Sequence, residues 1–149
     1  MLWKVDPLEM EFLEADPRLQ ALMLYADWWS GRQFGHELLV TDVGRSQSEY
    51  DRIYAAKIAE GLFFIGENGV KHYAGPRPHL ADPLHGIRTR AGDFGVQHGG
   101  LTGAGRLLMA NARRLEEHLS AQFRRSDRKP TALLHDVGSG QHLHVQVEA

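Results

Sequence analysis

The chain has no cysteine, which removes disulfide frameworks, thiolate zinc clusters and cysteine nucleophiles together and leaves the redox compartment open. Any metal must then be held by histidine and carboxylate. An excess of one charge is also missing: 17 Lys and Arg stand against 19 Asp and Glu, a net charge of -2. No bulk field therefore draws the chain to nucleic acid or to an anionic membrane surface, and partners have to be recognised at a local site. No apolar run approaches the length of a membrane span, and the start Met1-Leu2-Trp3-Lys4-Val5-Asp6-Pro7 lacks the basic region and apolar stretch of a signal peptide, so a cytoplasmic location in the producing cell is expected. Low-complexity tracts and internal repeats are absent. With 149 residues and 42% hydrophobic content, one domain spanning 1–149 is the expectation.

What is present reads as a mixture of helices and strands. Leu19, Leu22, Met23, Ala26 and Trp29 fall at helical spacing after Asp16-Pro17, a cap residue followed by proline, which predicts a helix from about Pro17 to Arg32. One of Trp28 and Trp29 is expected to pack inward. The β-formers of Glu37 to Val43 predict a central strand, and Ser46-Gln47-Ser48-Glu49 matches a capping box that opens a second helix. From Gly61 to about His85 the pattern dissolves into Gly, Pro and aromatics and is read as a long functional loop, with Phe63 and Phe64 in the core. Ala91 to Val96 reads as a short strand, Thr102 to Phe123 as a helix with Leu108, Ala112, Leu115 and Leu119 on one stripe, and Arg124 to Lys129 as cations at its carbonyl end. Two closing strands, Thr131–His135 and His142–Val147, are joined by a hairpin-like connection from Asp136 to Gln141. The order favours an α+β domain with a small, mainly antiparallel sheet packed with helices.

In the last strand Leu143, Val145 and Val147 alternate with His142, His144 and Gln146, so both histidines share the face opposite the core. Imidazoles two strand residues apart stand ~7 Å apart at their α-carbons, from a rise of ~3.4 Å per residue, and can converge on one ion. A zinc site with an open position needs three protein ligands; His85 and Asp93, flanking a short extended passage, are the natural completion. His98 lies among glycines and is a weaker candidate. His36, His72, His79 and His118 are read as surface or capping residues.

Three blocks now stand in order: Val40-Thr41-Asp42-Val43-Gly44-Arg45-Ser46, then His85 through Arg90-Ala91-Gly92-Asp93, then His142-Leu143-His144-Val145-Gln146. Together they resemble the zinc D-Ala-D-Ala carboxypeptidase and dipeptidase family, which includes phage endolysins and shares its fold with the hedgehog signalling domain. The resemblance implies Zn²⁺ held by His85, Asp93 and His144, and an Arg45 that binds substrate and stabilises the oxyanion. It also implies peptidoglycan stem peptides as substrate, a hedgehog/peptidase-like fold, and a phage or prophage product released on lysis or carried on the virion. Two departures accompany it. Seven residues, not six, separate His85 from Asp93, and Gln141 occupies the position where active members carry the acidic general base. An amide cannot accept the water's proton, which leaves His142 as a substitute base or a fourth ligand, with Asp136, Glu148 and Glu67 as carboxylates that would have to approach from elsewhere. The alternative is a zinc-stabilised structural or binding module, such as a virion component contacting phage structural proteins. A third reading has no metal and a protein-binding surface at Trp28, Trp29 and Leu62-Phe63-Phe64.

Overall fold

A computed structural model of the chain describes residues 1–98, 103–137 and 140–149. In chain order the elements are β1 (Leu2–Trp3), α1 (Pro7–Leu13), α2 (Pro17–Phe34), β2 (Leu39–Asp42), α3 (Gln47–Ile53), α4 (Ala55–Ala59), β3 (Phe63–Ile65), β4 (Lys71–Tyr73), a 3-10 turn (Pro83–His85), β5 (Ala91–Gly95), α5 (Met109–Gln122), β6 (Ala132–Val137) and β7 (Gly140–Gln146). Five strands form one sheet in the order β1-β2-β5-β7-β6, and β3 pairs with β4 in a separate hairpin. Only β1 and β2 run parallel, so the fold is α+β as expected but with a mixed sheet. The central strand is β5, not β2, which lies between β1 and β5.

Local chemistry sets the helix limits. The Asp16 carboxylate accepts the Arg18 amide at 2.9 Å ahead of Pro17, and α2 ends where Gly35 turns left-handed at φ 76°. The capping box is present in full: the Glu49 amide donates to the Ser46 hydroxyl at 3.2 Å, and the Ser46 amide donates to the Glu49 carboxylate at 3.3 Å. The expected continuation through Ile58 breaks at Tyr54, which separates α3 from α4.

The core lies behind the sheet. Phe94, Leu143, Val145 and Val40 point back against Leu19, Met23 and Ala26 of α2 and Ala112, Leu115 and Leu119 of α5. The approach of α2 to the central strand is so close that a β-carbon on Gly92 would meet the Met23 sulfur at 2.6 Å, which explains a glycine inside that strand. Trp29 packs on the core while Trp28 is exposed, the division expected of the pair. The outer edge of β6 is closed by α5: the Ala132 amide donates to Ser120 Oγ at 3.3 Å and the Leu134 amide to Glu116 Oε2 at 2.5 Å.

Several elements differ from expectation. Helix α5 begins at Met109, residues 103–108 are not helical, and the Thr102 start lies outside the described residues. Leu108 is therefore an exposed N-cap and not part of the buried stripe. The helix stops at Gln122, and the cation run beyond it turns back on itself, with Arg125 bound to Asp127 at 2.5 Å. The loop from Gly61 contains the β3–β4 hairpin, whose Phe64 is 40% exposed and not in the core. Both closing strands run further into their connection than expected; positions 138 and 139 lie outside the described residues.

Candidate metal centre

The front face of the sheet carries the polar set. Strand register places Asp93 opposite both Asp42 and His144, and His142 opposite His135. Alternation then puts Asp93, His144, His142 and His135 on one side, away from the core, and a register irregularity between Val40 and Asp42 sets Asp42 beside Asp93 although Val40 faces back. Facing them, across a cavity of about 1060 Å³, are Tyr50, Tyr54, Tyr73 and the segment Pro76 to His79.

That segment ends in a tight turn over residues 77–80, closed by the Leu80 amide donating to the Arg77 carbonyl at 3.0 Å, and is pinned on both sides. The Arg45 amide donates to the His79 carbonyl at 2.7 Å, the Ala81 amide to the Arg45 carbonyl at 2.9 Å, and the Arg90 amide to the Pro78 carbonyl at 2.8 Å. Pro78 occupies the first central position of that turn, where its fixed φ is favoured, and so sets the backbone that presents His79. Its backbone N–H donates to the Tyr50 hydroxyl at 2.8 Å, and burial pushes that phenol up to about 12.

Three groups meet here. His79, Asp93 and His144 each offer one ligand atom, and these atoms all lie within 4.8 Å of one another. His79 Nδ1 is 2.6 Å from the Val43 carbonyl, which can only accept, so Nδ1 carries the proton and Nε2 presents its lone pair to the cavity. His79 Nε2 stands 3.6 Å from Asp93 Oδ1. His144 Nε2 lies 2.9 Å from the Gln146 amide oxygen, which leaves Nδ1 to face Asp93 Oδ1, also at 2.9 Å. The rings of His79 and His144 have centres 5.2 Å apart, close to the about 5 Å of two imidazoles sharing a tetrahedral ion with Zn–N bonds of about 2.0–2.1 Å. A buried carboxylate flanked by oriented imidazoles is a donor set that fits zinc.

The electrostatics are those of a site holding its charge without solvent. Burial works against ionisation of Asp93, but His79 and His144 outweigh it and hold the carboxyl well below the usual range. Burial likewise opposes charge on His79, and Asp93, with Asp42 behind it, raises its pKa above the ordinary value. His135 and His142 are both lowered, by burial first and then by neighbouring imidazoles.

Arg45 is anchored beside the site. Its Nε and Nη2 both donate to Asp42 Oδ2, at 2.8 and 2.5 Å, and Asp42 is the cross-strand neighbour of Asp93. Arg45, His142, His144 and Asp93 all line the cavity.

The remaining expected residues lie elsewhere. His85 sits in the 3-10 turn with 74% of its side chain exposed, bonded through Nδ1 to Asp82 at 2.6 Å. It takes no part in the cluster, and His79, expected at the surface, is 4% exposed and stands in its place. Gln141 shares the parity of buried Leu143, so its side chain points to the back of the sheet; its Oε1 is buried with no hydrogen-bond partner among the described residues. Among the other carboxylates, Glu148 is held by Ser126 through a bond of 2.5 Å, and the Asp136 side chain lies outside the described residues.

Comparison with protein-family models, with curated proteins and with solved structures found no match. The functional reading therefore rests on the residues themselves.

Proposed function

We propose that this chain is a zinc-dependent peptidase-like domain acting on peptide bonds of bacterial cell-wall stem peptides, in a phage or prophage setting. The observation that carries the reading is the convergence of His79 Nε2, Asp93 and His144 Nδ1 on the wall of a cavity large enough for a peptide. The order of the Arg45, Asp93 and His144 blocks along the chain supports it, with His79 in the role that the sequence gives to His85.

A zinc ion bound by these three residues supplies Lewis acidity, acidifying water and polarising a carbonyl. The chain's own residues do the rest. Arg45, fixed by Asp42, offsets the negative charge that grows on the carbonyl oxygen during attack. Tyr50 and Val43 fix the backbone and ring of His79, so the ligand needs no rearrangement. The cavity's carboxylates among the described residues are Asp93, at the cluster, and Asp127, paired with Arg125. Neither is free to take a proton from water, and Gln141 faces away. His142, the substitute for that role, lines the cavity.

The test is hydrolysis of a purified muropeptide by zinc-loaded protein. Cleavage that stops with a chelator, falls at least about 100-fold in Arg45→Ala and leaves the zinc content of that variant unchanged supports the reading. Zinc bound in full with no cleavage of any stem peptide refutes it. It would favour the second reading, a zinc-stabilised structural module, for which the missing carboxylate base is the specific argument.

A further inference from the structure

The triad leaves two imidazoles on the same wall without a role in holding metal. His135 and His142 are direct cross-strand partners on β6 and β7, a placement that brings β-carbons to about 4.5–5.5 Å of each other. Their ring centres are 5.4 Å apart, which again matches two imidazoles on one tetrahedral ion, about 5 Å. The His135 ring is also 5.2 Å from that of His144, so the two pairs adjoin.

Asp93 lies between them with its two oxygens divided. Oδ1 faces His144 at 2.9 Å and His79 at 3.6 Å, whereas Oδ2 faces His142 Nε2 at 3.6 Å. A carboxylate disposed this way is built to bridge, and bridged metal pairs stand about 3.5–4 Å apart.

We propose that the chain holds a second divalent metal ion, bound by His135, His142 and Asp93 Oδ2, with Asp93 bridging it to the ion of the first site. The proposal rests on the metal reading of the His79–Asp93–His144 cluster and extends it. With the second ion bound, His142 would be a ligand and no longer available as base; two cations would instead answer the missing carboxylate, since they acidify a shared water further than one. The second set is the looser of the two: among the described residues only the first brings three ligand atoms within 4.8 Å of one another, whereas here His142 approaches Asp93 at 3.6 Å and the His135 ring has to swing toward the ion on binding. Occupation in two steps follows, the first tight and the second weaker.

The experiment is metal stoichiometry on the full chain, stripped with chelator and titrated with zinc, with bound metal counted by elemental analysis. Cobalt(II) absorption is followed in parallel. Two equivalents in the wild type and one in His135→Gln/His142→Gln, with the first cobalt band intact, is the expected result. Should the double variant misfold, His135→Gln alone, on a partly buried edge-strand side chain, carries the same count. One equivalent in wild type and variant alike overturns the second site while leaving the first standing, as does a variant that still takes two. No zinc on folded wild-type protein overturns the metal reading itself.

Discussion

Replacing His79 by Asn separates the ligand from its surroundings. The Asn amide can take the place of Nδ1–H and donate to the Val43 carbonyl, which His79 now reaches at 2.6 Å, while nothing replaces Nε2. Val43 also keeps the Thr89 hydroxyl as a donor at 3.2 Å, so no buried acceptor is orphaned. Metal-free stability should change by about 1 kcal/mol, the scale of one imperfect hydrogen bond and a small void, once the pH is high enough for His79 to be neutral, and by more at lower pH, where the variant also removes the counter-charge of buried Asp93. Metal binding should change far more. Zinc sites of four ligands are worth about 10–16 kcal/mol, so one ligand contributes about 3 kcal/mol, and at about 1.4 kcal/mol per decade that is roughly a 100-fold loss of affinity. The partner variant His85→Asn alters only an exposed pair with Asp82 and should shift affinity less than about two-fold. Competition against a chromophoric chelator measures both, with denaturant melts of stripped protein as the fold control. A His85→Asn protein that loses zinc while His79→Asn retains it would refute the ligand assignment.

Other outcomes follow from the same geometry. His79 is raised above 6.5 in the fold, so its share of metal-free stability is complete below pH 6.5 and is lost as pH climbs through the raised value. Zinc affinity should rise over that same interval, because protons and metal compete; urea melts and zinc titrations at pH 6 and pH 8 that move in the same direction would contradict this. Gly105→Ala should cost at least about 2 kcal/mol in thermal melts, since φ is +79° and a β-carbon would meet the Glu37 carbonyl at 2.8 Å and the Leu39 amide at 2.9 Å. A variant melting with wild type would show that this contact relaxes freely. Ser46→Ala removes one arm of the capping box next to Arg45 and should cost about 1 kcal/mol; no change in denaturant midpoint would mean the cap is replaced by water.

Asp93 and His144 were legible because period-two alternation in β5 and β7 is a local property of the chain. So were the α2 cap, the capping box and the antiparallel pairing of the last two strands. His79 was not, because it enters the site through a bridge between Arg45 and Leu80, a tertiary contact with no periodic signature. The irregular spacing from His85 to Asp93 was the available warning, and the flanking prolines of Pro76-Arg77-Pro78 the available clue. Gln141 carries a local signal of its own: it lies three residues from His144, and an odd separation in a regular strand puts two side chains on opposite faces. The β3–β4 hairpin also carried a signal, Asn68-Gly69 between Phe63-Phe64-Ile65 and Lys71-His72-Tyr73, that the surrounding glycines and prolines obscured. His135 ends a closing strand whose residues show no alternation that would mark a site; only its register with His142 brings it there.

The most direct measurement is an anomalous-difference map at the zinc edge from crystals of zinc-loaded protein. The metal assignment predicts a peak between His79 Nε2, Asp93 and His144 Nδ1. A map with no peak there, or with its peak beside His85 and Asp82, would contradict it.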